Sequence, residues 1–143
     1  LVKIKDVIKD KGIEFIAVDS RSTVDIAINK MVERNIGAVL VMEDGRLVGM
    51  FTERDVLKCW VKKGEGFSRI HIKDVMTRDI LIAEPDDDLD YAMTVMVNKN
   101  IRHLPVIEKG QVVSVISIRD MVKAHVSTLQ AELHYLKDYI SGG

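Results

Sequence analysis

The chain has a single cysteine, Cys59, in 143 residues. No internal disulfide can form, and a reducing compartment is expected. Neither sign of charge is in excess: 21 Lys and Arg stand against 22 Asp and Glu, a formal net charge of −1. A protein that grips a nucleic-acid backbone carries a basic face, and none is legible here. No apolar run reaches the length of a membrane span. The charged, alternating opening LVKIKDVIK does not read as a signal peptide, and because Leu1 is not a Met, residues preceding it are expected. Also missing are the phosphate loop GxxxxGKS/T and the GxGxxG turn, so nucleotide hydrolysis and hydride transfer have no visible machinery. His71, His103, His125, His134 and Cys59 show no metal-ligand spacing. No Ser or Cys sits in a nucleophile-elbow context. These absences predict a soluble, cytoplasmic protein that is not an enzyme, needs no cofactor or metal, and binds neither nucleic acid nor membrane.

What is present is enough for a core. Apolar residues make up 47% of the chain and charged residues 30%, the balance of a globular protein with a solvated surface. The length suits one compact domain or two very small ones.

The chain repeats itself. IKDV occurs at 4–7 and at 72–75; VDIA (24–27) matches LDYA (89–92), KMVERNI (30–36) matches VMVNKNI (95–101), and GRLVGMF (45–51) matches GQVVSVI (110–116). The first pair is 68 residues apart and the others 65, so the copies differ in length only between Ile8 and Thr23. Such self-similarity marks tandem copies of one structural unit. The expected division is repeat 1 at 1–64, repeat 2 at 65–126 and a helical extension at 127–143, with the repeats joined near KKGEGFSR (62–69). Neither repeat is large enough to be stable alone, so the two are expected to pack with pseudo-two-fold symmetry.

Each copy predicts the same α+β layout, β-α-β-β-α. A short helical KDV segment leads to a strand-like run, EFIAV (14–18) or ILIA (80–83). A helix follows, opened by Ser22 or by Asp86-Asp87-Asp88, with apolar faces at Val24, Ala27, Ile28, Met31 and Leu89, Ala92, Met93, Met96. A hairpin then turns at Glu43-Asp44-Gly45 or Lys109-Gly110. The last helix begins at a repeated phrase, GMFTERD (49–55) or SVISIRD (114–120). Asp86-Asp87-Asp88 has the look of a Ca²⁺ or Mg²⁺ cluster, but acids also favour a helix start. Trp60 and Cys59 are expected to pack helix to helix beside Val56.

The phrase has two readings. A hydroxyl followed three residues later by an acid is a capping box, which starts a helix and needs no ligand. Yet the phrase stands where a strand ends and a helix begins, a place that attracts phosphate. Arg54 and Arg119 add a permanent charge, and a short acid there can accept both hydrogens of a vicinal diol, as a carboxylate does with ribose.

Taken together, the tandem copies, GMFTERD with SVISIRD, DVMT (74–77) and IRHLPV (101–106) resemble the CBS-domain family, named for cystathionine β-synthase, over about residues 4–126. The resemblance implies a tandem pair, a Bateman module, binding an adenosine-containing ligand (AMP, ATP, NAD or NADH, or S-adenosylmethionine) in the cleft between repeats. It places Asp55 on the ribose hydroxyls, Thr52 on ribose or phosphate, Thr77, Ile80, Leu81 and Ile82 around adenine, and Arg54, Arg102 and His103 toward phosphate. A second pocket would pair Ser117, Arg119 and Asp120 with Phe15, Ile16, Ile36, Gly37 and Ala38. Ser114 replaces Gly49 there, which hinders close backbone approach, and Gly37-Ala38 replaces Arg102-His103, which removes phosphate charge. Each residue also has a plain role: Arg102 and His103 as solvated residues, Ile80 to Ile82 as core, Thr77 as a helix stop or cap. The phosphate-facing residues favour a phosphorylated ligand over S-adenosylmethionine.

The second closing helix is expected to run without Gly or Pro to Ile140 and to stop at Gly142-Gly143. Val122, Val126, Leu129, Leu133, Leu136 and Ile140 are spaced 4-3-4-3-4, a heptad seam. From Ile118 such a helix is ~34 Å long, longer than one small module needs. A homodimer helix is expected. The function implied is a sensor that binds an adenosine nucleotide and modulates an unidentified partner protein; the alternative is a structural, oligomerisation module with vestigial pockets.

Overall fold

The computed structural model describes residues 2–11 and 15–140. In chain order these form α1 (Ile4–Lys11), β1 (Ala17–Asp19), α2 (Val24–Arg34), β2 (Ala38–Glu43), β3 (Arg46–Thr52), α3 (Glu53–Lys63), α4 (Leu89–Lys99), β4 (His103–Glu108), β5 (Gln111–Ser117) and α5 (Ile118–Ile140), with one-turn 3₁₀ segments at Phe67–Arg69 and Ile72–Asp74. The class is α+β with two repeats and a long final helix. Glu14 of the expected first strand and the Gly142-Gly143 stop lie outside the described residues.

The hairpins follow from their turn residues. Asp44 and Gly45 have φ of 50° and 80°, and Lys109 and Gly110 have 52° and 76°. Two consecutive positive φ values give the turn whose twist matches paired strands. It joins β2 to β3 and β4 to β5, each pair antiparallel. The helices α2 and α4 both end on an asparagine with left-handed backbone, Asn35 and Asn100, whose N–H returns to two carbonyls of the last turn. The short Asn side chain tolerates that conformation better than most residues.

Two of the expected local features come out differently. Ser22 does not open α2: the N-cap is Thr23, whose hydroxyl donates to the Asp25 side chain rather than capping a backbone N–H. The helix instead begins by donating Val24 N–H to the carbonyl of Ile70. The ILIA run forms no strand; only Ala83 makes a parallel bridge, to Val106. The first copy's run does form β1, three residues paired parallel to β2. At the start of α4, Asp88 is the N-cap and accepts from Asp90 N–H, while Asp86 pairs with Lys5.

The chain divides into two compact units: Phe15–Leu81, and a second that joins α1 to everything from Ile82 onward. The division differs from that of the sequence copies because the two IKDV segments change places. Lys3 bridges to Asp88, and Ile4 N–H donates to Asp87 O. At the equivalent positions His71 bridges to Thr23, and Ile72 N–H donates to Ser22 O. Ile4 and Ile72 are each fully buried in the unit that receives them. IKDV is an α-helix in the first copy and a single 3₁₀ turn in the second.

In the 15–81 unit the sheet runs β1-β2-β3. Its core gathers Val24, Ala27 and Met31 of α2, Val39 and Val41 of β2, Phe51 of β3 and Ile72. The other unit packs Leu89, Ala92 and Met96 of α4 and Met121 of α5 on Leu104, Val106 and Ile116 of the β4-β5 pair, with Ile4. Cys59 is buried beside Val56, and that burial pushes its thiol pKa up. Trp60 departs from expectation: it is half-exposed and sets its ring edge-on to Phe67, centroids 5.6 Å apart, rather than filling a helix–helix seam.

Candidate functional site

Strand β3 ends at Thr52, which is extended, and α3 begins at the next residue. The Thr52 hydroxyl accepts from Asp55 N–H at 3.3 Å, and the Asp55 carboxylate accepts from Thr52 N–H at 3.0 Å. This is a complete capping box. The second phrase repeats it: Asp120 N–H donates to Ser117 Oγ at 3.0 Å, and Ser117 N–H to Asp120 Oδ2 at 3.1 Å. Both closing helices therefore start for the same local reason.

Beyond that the copies part. Asp55 is only 6% exposed, whereas Asp120 is half-buried. A buried carboxylate is costly unless its oxygens are occupied by donors. Those of Asp55 accept from Thr52 N–H, from the Thr52 hydroxyl at 3.2 Å, and from Thr77 Oγ1, which lies 3.0 Å from each oxygen. The N-terminus of α3 adds a favourable dipole.

Thr77 reaches Asp55 because it borders the sheet. Met50 and Thr77 exchange both backbone hydrogen bonds, 2.9 and 2.8 Å, as an antiparallel bridge along β3. Thr77 is thus neither a helix stop nor a cap. Gly49 makes the approach possible: a Cβ on it would lie 2.7 Å from the Thr77 carbonyl oxygen and 2.8 Å from Met76 Sδ. The space that the missing side chain leaves is filled by the chain itself. The family resemblance placed Thr77 at adenine, and its bond to Asp55 was missed; the one trace in the sequence was Gly49 standing where the second copy has Ser114. In that copy Ser114 is fully buried, and among the described residues its hydroxyl has no hydrogen-bond partner.

The expected site residues fall as follows. Thr52, Asp55 and Thr77 are brought together in the 15–81 unit, with Arg54 exposed on the first turn of α3. Gly37 and Ala38 adjoin the same phrase: Gly37 O accepts Glu53 N–H, and Ala38 pairs with Thr52. Arg102 and His103 hold the equivalent places beside the second phrase, where Arg102 O accepts Ile118 N–H and His103 pairs with Ser117. Arg119 is exposed on the first turn of α5. Phe15, Ile16 and Ile36 are half-buried, Ile16 and Ile36 against the core of the 15–81 unit. Ile80 is half-buried, and Leu81 and Ile82 are exposed in a stretch outside any strand. Among the described residues no three His, Cys, Asp or Glu side chains cluster so as to hold a metal, and no helix is long and apolar enough to cross a membrane.

The chain is similar to known proteins. The chain is 33% identical to the mitochondrial CBS domain-containing protein CBSX3 of Arabidopsis thaliana, over 98% of this chain and 72% of that one. It is 31% identical to protein MJ1225 of Methanocaldococcus jannaschii, over 76% of this chain and 38% of that one, and 29% identical to protein MK0525 of Methanopyrus kandleri, over 80% and 60%. Among solved structures, the CBS-domain containing protein ATU1752 of Agrobacterium tumefaciens superposes with a TM-score of 0.83 at 31% identity, over 87% of this chain and 99% of the other. The CBS domain pair of protein MJ0100, solved with 5′-methylthioadenosine and S-adenosyl-L-methionine, shares the fold at 22% identity with a TM-score of 0.77, over 90% and 98%. A family model of the CBS domain matches residues 4–62 and again 72–127, so the chain belongs to the CBS-domain family and carries two copies of the domain.

Proposed function

We propose that this chain is a regulatory module, not a catalyst, that binds a phosphorylated adenosine ligand of the AMP, ATP or NAD type at the GMFTERD phrase and signals occupancy to a partner protein. The observation that carries the reading is the Asp55 carboxylate, buried at a helix N-terminus and held by Thr52 and Thr77. A capping box accounts for Thr52 but not for the hydroxyl of Thr77. Its one proton cannot fill both carboxylate oxygens at once, so the acid keeps acceptor sites that a ribose diol can use. Arg54 supplies a fixed positive charge on the same turn for phosphate. Family membership supports the choice of an adenosine ligand, since a relative of the same fold was solved with two such compounds.

The test is thermal unfolding of the wild type and Asp55→Ala with AMP, ADP, ATP, NAD, NADH and S-adenosylmethionine. A ligand at a hundred times its dissociation constant stabilises the fold by about 2.7 kcal/mol. A midpoint that rises with one nucleotide in the wild type only supports the reading. A panel that moves neither protein sinks it.

The module is also proposed to pair with a second copy. Four exposed apolar positions recur 65 residues apart: Ile26 with Tyr91, Val32 with Val97, Leu57 with Val122, and Val61 with Val126. Exposed apolar side chains scattered singly need no explanation, whereas the same positions left apolar in both copies suit a surface that is covered. The alternative, an oligomerisation module with unused pockets, draws on the exposed seam of α5 and predicts assembly without any nucleotide response.

A further inference from the structure

We infer that the last three turns of α5 form a parallel, two-stranded coiled coil with the same helix of a second copy. The inference rests on the homodimer reading above and adds its surface and its direction. Among the described residues, helix α5 is anchored to its unit at its start, where Met121 is fully buried and Ile118 and Ala124 pack on the core. His125 Nδ1 also meets Asp90 Oδ1 of α4 at 3.0 Å. From Leu129 to Ile140 every residue is exposed, including Leu129, Leu133 and Leu136, each at least half exposed. The helix thus stands off its unit for three turns while keeping an apolar face.

That face has the geometry of a seam. With Val126, Leu133 and Ile140 at the a positions of the heptad, Val122, Leu129 and Leu136 occupy d. Leu throughout d in the outer turns, with β-branched Val126 and Ile140 at two of three a positions, favours two strands. The flanking residues set direction. Lys123, Gln130 and Lys137 lie at e, and His125, Glu132 and Tyr139 at g.

Parallel helices bring each g against the following e of the other strand. Glu132 then faces Lys137 of the partner subunit, and by symmetry the pair forms twice. Antiparallel helices in the register that matches the apolar layers instead oppose e to e and g to g. That arrangement sets Lys123 against Lys137 of the partner subunit twice, and Glu132 against the partner's Glu132. Two attractive pairs against three repulsive ones select the parallel form. Two heptads are too short to associate alone, so the seam extends an interface made elsewhere on the module.

The test uses the full chain, with Val126→Cys and Leu136→Cys made separately and oxidised with diamide. Wild type is the control, because its one thiol, Cys59, is buried. A parallel seam lets each variant cross-link to itself. Glu132→Lys is expected to slow that cross-linking several-fold, and adding Lys137→Glu to restore it. Sedimentation supplies the independent readout. A dimer in which cross-links form only when the two cysteine variants are mixed overturns the direction, and a dimer with no cross-link at all overturns the surface; the homodimer reading survives both. A monomer overturns the inference and the homodimer reading together.

Discussion

The hydroxyl of Thr77 lies 3.0 Å from both carboxylate oxygens of Asp55, across 22 residues of chain. This bond ties the first turn of α3 to the segment beside β3, so the two residues are expected to be energetically coupled. In a double-mutant cycle, Asp55→Ala and Thr77→Val each lower stability by about 1–3 kcal/mol, since each leaves a polar partner unmatched. The pair together costs less than the sum by at least about 0.5 kcal/mol. Denaturant unfolding of the four proteins measures this, and strict additivity would contradict the bond.

Gly49 is expected to resist even alanine. The added methyl would meet the Thr77 carbonyl oxygen at 2.7 Å and Met76 Sδ at 2.8 Å. The thioether can swing away; a backbone oxygen held in a bridge cannot do so cheaply. Gly49→Ala should destabilise by about 1–3 kcal/mol, the range for overpacking. Faster amide exchange at Met50 and Thr77, whose backbone groups form that bridge, would locate the damage there. Unchanged protection at both amides would count against this account.

Ser114 offers the opposite sign. Its hydroxyl is buried without a partner among the described residues, and an unmet buried polar group carries a desolvation penalty. Ser114→Ala is therefore expected to raise stability by about 1 kcal/mol. Loss of stability in the denaturation midpoint would mean that the hydroxyl is satisfied in solution.

Asp19 titrates low because the Arg21 side chain and then the Arg21 backbone N–H donate to it, holding its carboxyl at about 2. A carboxylate whose folded pKa is depressed stabilises the fold above its unfolded pKa, and that contribution fades as pH falls from about 4 through 2. Arg21→Ala should move the Asp19 pKa upward toward 3.8, the ordinary value, as read by carboxyl-carbon NMR. At neutral pH the same variant should change the midpoint little, because the pair is exposed.

Much of the fold was legible locally. Asp44-Gly45 and Lys109-Gly110 specify their turns through backbone preference, and the Thr52–Asp55 and Ser117–Asp120 spacings start helices through bonds three residues apart. Each of these signals acts within one turn of chain. The heptad of α5 belongs with them, since its periodicity alone states which face is apolar. ILIA failed as a strand for the converse reason: an apolar run records only a preference for burial, and pairing is settled by which neighbour is in reach.

What the sequence by itself determined is the unit: two copies, their turns, the caps of α3 and α5, and an unusually long final helix. Tertiary structure alone decided which pieces pack together. IKDV reads the same at 4–7 and 72–75, yet α1 packs with residues beyond Ile82, and Ile72 is buried under α2. Thr77 likewise carries no local mark as the partner of Asp55. Both outcomes depend on contacts between segments far apart in the chain, where burial and hydrogen-bond geometry choose among partners that residue spacing cannot rank.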